Sequence, residues 1–489
     1  QSAIAIGDNA KAGGIAAVSV GYMANGQSAD VDKANTPSTT KATYGTAVGH
    51  FAGADYVGTD NLRSTALGNQ AGRYGEGGVV NTAVGNLAGM YVKGSQNVAM
   101  GNLAGSGDAT NKLEANNTVS IGTASKASAN NAIAMGNTAQ ASAVDSLAFG
   151  TKAGVKSVRS IAIGAEASAG STDTTYNPLG DIRATAIGSE AKANGLRTVA
   201  LGDVAVASER YGTALGSSSN VSAAYGTAVG FENRVSGEGG FAAGTHSVAA
   251  GRQQISIGHF AGDNVANSGV PAKAADYGVF IGRYAGSDAA GATGNTAGVA
   301  IGMEAGRYGQ GGSRNTAIGE QAGQYVKGSH NIAMGTNAGS GTDAEKLEVS
   351  NTTSIGNAAK ALTDDSISIG RDSKAGKVDK FDGKKSIAIG YASEAMGSNA
   401  IALGSNAATN NGHDSIAMGT YAKTNGEKTI SIGAYNTAEG AQSIVIAGNY
   451  DASTGSNRST TTAAARRAIV VGPESHATAE DALAIGNKN

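Results

Sequence analysis

Apolar residues in this chain fall into short alternating phrases closed by glycine. Ile4-Ala5-Ile6-Gly7, Ile133-Ala134-Met135-Gly136, Ile161-Ala162-Ile163-Gly164, Ile387-Ala388-Ile389-Gly390, Ile401-Ala402-Leu403-Gly404 and Leu483-Ala484-Ile485-Gly486 are representative. The large side chains stand at i and i+2, which is the period of a strand and not of a helix. A smaller Ala-x-Ala phrase follows within a few residues, as in Ala167-Ser168-Ala169 and Ala191-Lys192-Ala193. The closing glycines recur at a spacing of 14, at Gly122, Gly136, Gly150 and Gly164 and again at Gly188, Gly202, Gly216, Gly230, Gly244 and Gly258. A fixed period of this kind marks a stacked-repeat architecture. One period accommodates two strands of about five residues and two tight turns, with Gly supplying the turn dihedrals. The pattern therefore predicts an all-β parallel solenoid. Ile and Val would stack on one wall and Ala on the other, large residues facing small ones across a thin core.

A second level of repetition lies above the coil. Gly68, Gly85, Gly101, Gly122 and Gly136 match Gly302, Gly319, Gly335, Gly356 and Gly370 at one offset of 234 residues, and Tyr-Val-Lys-Gly-Ser occurs at both 91–95 and 325–329. A block at about 45–140 thus reappears at about 279–374. In these blocks the closing glycines lie 16 to 21 residues apart, and an Ala-Gly-x-Tyr element is added at Ala71-Gly72-Arg73-Tyr74, Ala88-Gly89-Met90-Tyr91, Ala305-Gly306-Arg307-Tyr308 and Ala322-Gly323-Gln324-Tyr325. Larger insertions are read at 171–183, 263–277, 371–385 and 449–467. In a solenoid such insertions become loops on one face, often the binding face. The domain organisation expected for 1–489 is a single elongated roll.

Composition agrees with many small coils rather than a few large cores. The 489 residues include 75 Gly, 7 Phe and no Trp or Cys, while 40% are apolar and the net charge is −2. A globular core of that length needs more large side chains, and a disordered chain needs fewer apolar ones and more charge. Balanced charge argues against a nucleic-acid partner. One coil cannot bury enough to stand alone, so ladder bonds between coils and burial of one face against other chains are expected, giving a homo-oligomer.

Chemical motifs are sparse. The six histidines, at 50, 246, 259, 330, 413 and 476, form no HxxxH pair, and a metal site needs three or four converging ligands. Gly75-Glu76-Gly77-Gly78 lacks the Lys-Ser/Thr of a phosphate loop, and Asp364-Asp365 reads as solvated loop charge. No catalytic residue, cofactor or metal is expected. Candidate partner contacts are Tyr74, Tyr91, Tyr308 and Tyr325, because Tyr and Arg are favoured at binding hot spots; the alternative is that each ring is a local lid on its enlarged coil. Tyr176, Pro178 and Leu179, with Phe381 in a Lys-rich setting, are comparable loop candidates, either for binding or for loop packing.

The Ser/Ala-Ile-Ala-Ile-Gly…Ala-x-Ala coil at a 14-residue period resembles the head of the YadA-like trimeric autotransporter adhesins, over most of the chain. The resemblance implies a homotrimer of left-handed parallel β-rolls. It also implies display at the cell surface, on the outer membrane of a Gram-negative bacterium, and attachment without a cofactor to a host receptor, such as one of the carcinoembryonic-antigen family, or to collagen or fibronectin. Neck, heptad stalk and membrane anchor are not read in this sequence and are expected outside it. Rival expectations are a passive spacer and a β-solenoid enzyme acting on polysaccharide; the latter needs converging carboxylates in a cleft, and no acidic cluster recurs.

Overall fold

The computed structural model describes residues 2–12, 15–26, 45–55, 63–170, 183–263, 275–288, 297–309, 312–377, 384–410, 412–447, 459–461, 466–473 and 475–486. Among them every regular element is a strand and none is a helix. The chain divides into two compact units, Gln1–Asn233 and Arg234–Asn489. Each holds one copy of the duplicated block.

Within each unit the coils stack in parallel register, one repeat apart. Ile133, Ala134 and Met135 pair with Leu147, Ala148 and Phe149, which pair in turn with Ile161, Ala162 and Ile163. In the second unit Ile387, Ala388 and Ile389 pair with Ile401, Ala402 and Leu403. The second strand of each coil forms its own parallel ladder, as in Lys126–Ala127 on Gln140–Ala141 and Lys360–Ala361 on Lys374–Ala375. The strands are shorter than the repeat suggested, typically three residues on the first side and two on the second. The difference goes into the corners. Asn131, Thr138, Asp145 and Lys152 all have φ between 55° and 59°, left-handed backbone that costs a residue with a Cβ. Each of those amides donates to a carbonyl of the preceding coil: Asn131 to Asn116, Thr138 to Thr123, Asp145 to Asn130 and Lys152 to Asn137, all at 2.8–3.1 Å. Stacking thus holds the strained corners.

The closing glycines meet two constraints at once. Gly136 has φ +133°, and a Cβ there would lie 2.4 Å from the carbonyl oxygen of Gly150 in the next coil. The coils could not approach to ladder distance if this residue had a side chain.

The core is inverted relative to the expectation from sequence. The residue between the two large aliphatics points inward: Ala134, Ala148, Ala162, Ala186, Ala200 and Ala214 are fully buried, as are Ala139, Ala141, Ala167 and Ala169 from the opposite side. The large residues point outward. Ile6, Leu67, Met100, Phe149 and Ile187 are 59, 46, 42, 49 and 39% exposed. Small residues on both inner walls let the two strands of a coil lie close, so most of the interior is Ala; larger occupants are local exceptions, such as Val155, Val221 and Val235, and Phe280 in the volume left open by Gly286.

The widened coils keep the first strand in register, with Thr82 on Val98 and Val98 on Val119. Their extra residues displace the second strand into separate short ladders, Val92–Lys93 on Leu113–Glu114 and Val326–Lys327 on Leu347–Glu348. An asparagine ladder bridges the wider interior. Asn97 donates its backbone amide to Asn81 Oδ1 and its Nδ2 to the Ala115 carbonyl, and Thr118 donates to Asn97 Oδ1. Asn315, Asn331 and Thr352 repeat this arrangement in the second unit.

Candidate functional site

Two features of the surface go beyond the scaffold. One is the outward aliphatic ladder. The other is an aromatic–arginine column, built once in each unit over the widened coils.

The column of the second unit starts at Phe260, which stacks on Tyr284 with centroids 5.4 Å apart and planes 3° from parallel. The Arg307 guanidinium lies between the Tyr284 and Tyr308 rings, 4.2 and 4.4 Å from their centroids, and Tyr308 stacks on Tyr325 at 4.6 Å. Arg307 Nε donates to Asp288 Oδ2 at 2.9 Å, and its terminal nitrogen pairs with Glu304 at 2.7 Å. The Asp288 side chain is 1% exposed. The first unit repeats the plan: Arg73 lies between Phe51 and Tyr74 at 4.2 and 4.4 Å, Tyr74 stacks on Tyr91 at 4.6 Å, and Arg73 pairs with the buried Asp55 at 2.8 Å.

The left-handed corners explain why these rings coincide. Phe51, Phe260 and Tyr284 each lie two residues after a closing glycine, with φ near 55°, so equivalent corners of successive coils project their side chains in one direction. Tyr74, Tyr91, Tyr308 and Tyr325 add a second corner of the same kind, with φ 52–59°. Cation–π contact, ring stacking and a desolvated ion pair then reinforce one another.

Electrostatics follow from this packing. Burial alone would raise the Glu304 carboxyl, but hydrogen bonds from Gln321 and Gln324 and the charge of Arg307 outweigh it and hold the group below its ordinary value of 4.5. Burial pushes the Tyr308 and Tyr325 phenols up from 10.0. Both rings are neutral at physiological pH.

The four tyrosines singled out from sequence are thus brought together in pairs, half-buried, with their faces turned on one another or on Arg. That packing is compatible with a lid on the widened coil and with contact to a partner at the part of each ring that stays accessible. Tyr176, Pro178, Leu179 and Phe381 lie outside the described residues. Of the four insertions, 264–274 and 378–383 lie outside the described residues, as do most of 171–183 and 449–467; within 371–385, Lys374–Ala375 forms a strand. Sequence reading missed Arg73, Arg307, Asp55 and Asp288. The signal was the shared Arg at the variable position of two Ala-Gly-x-Tyr elements. Its aspartate partner 18 or 19 residues earlier carried no local cue. Among the described residues no group of three or more His, Asp or Glu could hold a metal.

The family described as YadA head domain repeat (2 copies) matches residues 1–22, 114–139, 130–153, 141–167, 182–205, 207–233, 350–373, 382–407, 411–436 and 463–489. These windows fall on the 14-residue coils, and the widened coils of 45–113 and 279–349 lie between them. No curated protein matches the chain. Coil length, glycine stack and family match agree: the regular coils of this chain are YadA-like head repeats, the repeats of an adhesin head.

Proposed function

We propose that this chain is the binding head of a homotrimeric adhesin on the surface of a Gram-negative bacterium, a left-handed roll that attaches to host receptors or matrix proteins and performs no catalysis. The observation that carries this reading is the outward aliphatic ladder. Residues such as Phe149 and Ile187 are 49 and 39% exposed and recur at the same place in successive coils. Each gains up to about 1.5–3 kcal/mol when fully buried, so a stack of them favours a partner with the same periodicity. Copies of the chain itself meet that requirement coil for coil, and closed rotational symmetry satisfies all the ladders together. Three ladders around one axis would leave the opposite faces, with the corner loops, free for attachment. Weak contacts there would combine, because each is presented several times.

Two measurements test the proposal. Light scattering on the folded head should give three times the chain mass of 47.8 kDa, and a monomer would sink the assembly. Saturable attachment to host cells, or to immobilised collagen, fibronectin or a carcinoembryonic-antigen-family ectodomain, supports adhesion. A folded trimer that binds none of them is a spacer.

A further inference from the structure

The second unit contains a pocket of about 420 Å³ where the widened block meets the regular coils. Lys346, Lys360, Lys374 and Lys377 line it with Glu345, and Leu347, Leu362 and Met396 provide its apolar surface. Lys360 and Lys374 are directly paired on adjacent parallel strands, an arrangement of like charges that a sheet ordinarily disfavours. Lys374 is partly compensated by Glu394 at 3.0 Å. Lys346 and Lys360 have no carboxylate partner among the described residues.

The first unit is an internal control, because the block was copied at an offset of 234. There the lysines equivalent to Lys346 and Lys360 are retained as Lys112 and Lys126, but Gln140 and Ala143 stand where the second copy has Lys374 and Lys377. Ser128 stands for Leu362, and Asp108 for Thr342. Lys112 is tied to Glu76, whose counterpart at position 310 is Gln. In the second copy the lining therefore gains two cations, exchanges the Asp108 carboxylate for Glu345 in place of Asn111, loses an ion-pair partner for Lys346 and becomes more apolar. None of these differences is required by the coil, since the first copy folds without them.

We propose that this pocket binds an anionic sugar residue, one bearing sulfate or carboxylate groups. Its volume is in the range of small-ligand sites and far exceeds that of a bare ion. Lysines on successive coils are spaced by about 4.8 Å, which suits anionic substituents repeated along a chain, and Leu347, Leu362 and Met396 offer contact to the C–H face of a sugar ring between them. The outer side of the second strands lies across the coil from the aliphatic ladder, so self-assembly through that ladder leaves the lysines accessible. This inference deepens the adhesin reading and rests on it for the ligand's origin on a host surface.

The test uses the full chain with heparin as the sulfated probe, hyaluronan as the carboxylate-only probe, dextran as the neutral one and polyglutamate as the acidic peptide. Saturable binding to heparin or hyaluronan, weakened by salt and absent with dextran, is expected. K360Q and K374Q should each lower that affinity about tenfold, the scale of one charge-assisted contact, with unchanged thermal unfolding. K126Q in the first copy should leave it unchanged. No binding to either polysaccharide, equal binding to polyglutamate, or a K126Q loss as large as that of K360Q would overturn the proposal. If K360Q and K374Q lose polysaccharide binding while cell attachment by other contacts persists, the pocket stands separately; polysaccharide binding by a chain that attaches to no cell defeats the adhesin reading and leaves the pocket.

Discussion

Arg307 is held by two rings and two carboxylates while being only 14% exposed. Removing it leaves the buried Asp288 carboxylate without its counter-charge, so Arg307→Ala should destabilise the surrounding coils by about 3–5 kcal/mol. Hydrogen exchange across 284–325 is the suitable readout, because a stacked repeat can open locally. Replacing Arg307 and Asp288 together by apolar residues should recover most of the loss. Glu304 gives a second expectation. Its folded carboxyl sits below 4.5, so its stabilising contribution is complete above the unfolded value and is lost as pH falls through the lower folded one. Protection of the second block should decline as pH drops below about 4.5, and E304Q should flatten that decline. Position 70, the equivalent in the first block, is already Gln, and it accepts from Arg73 at 3.1 Å; that block should lack the transition. At this scale the tyrosines were legible because they recur beside glycine. Arg73 and Arg307 were not, since an arginine between a glycine and a tyrosine looks like solvated surface until the preceding coil places a second ring, Phe51 or Tyr284, on its other face.

At the scale of the element, the glycine period revealed the coil, but a period of two identifies two faces without saying which is inside. Size would ordinarily decide in favour of Ile. Here the second strand mostly offers small residues such as Ala127, Ala141 and Ala169 to the interior, with Val155, Val221 and Val235 the larger exceptions, and walls lined this way approach too closely to admit the Ile of the first strand at every coil. The glycines can be told apart on the same grounds. Gly136→Ala would place a methyl 2.4 Å from a backbone oxygen at φ +133° and should unstack its neighbours, read as lost amide protection in 119–150. Gly154 has ordinary φ and open space around its Cβ position. Gly154→Ala should be neutral or stabilising by about 0.4–1 kcal/mol, measured in the same experiment. The Asn81–Asn97 ladder was hidden for another reason: its bonds span 16 to 21 residues, a distance fixed only once the coil width is known.

At the scale of the molecule, assembly can be separated from folding. Phe149 is half exposed in the single chain, so Phe149→Lys should leave the coil intact by circular dichroism. If the proposed trimer forms through these ladders, a lysine buried in each of the three should nevertheless dissociate it, visible as a fall in sedimentation coefficient. Retention of the trimer would place the contact on another face. The likeness to the YadA head repeat was legible from the regular coils alone, and the family match falls on most of those.

The asparagine ladders and aromatic columns have a consequence for how such a chain finds its one arrangement. Regular coils are close to interchangeable: a slip by one repeat mostly sets alanine against alanine and glycine against glycine, and what opposes it is exposed pairs such as Lys152 with Glu166, each worth little. The widened coils cannot be exchanged in this way, since Asn97 must meet Asn81 below and Thr118 above, and Arg307 must reach Asp288. They act as indexing marks on an otherwise uniform ruler, one set to each unit. Deleting one whole regular coil, 137–150, should therefore give a shorter but ordered head, whereas deleting 86–101 should yield a mixture of mis-stacked forms, distinguishable by native mass spectrometry with hydrogen exchange.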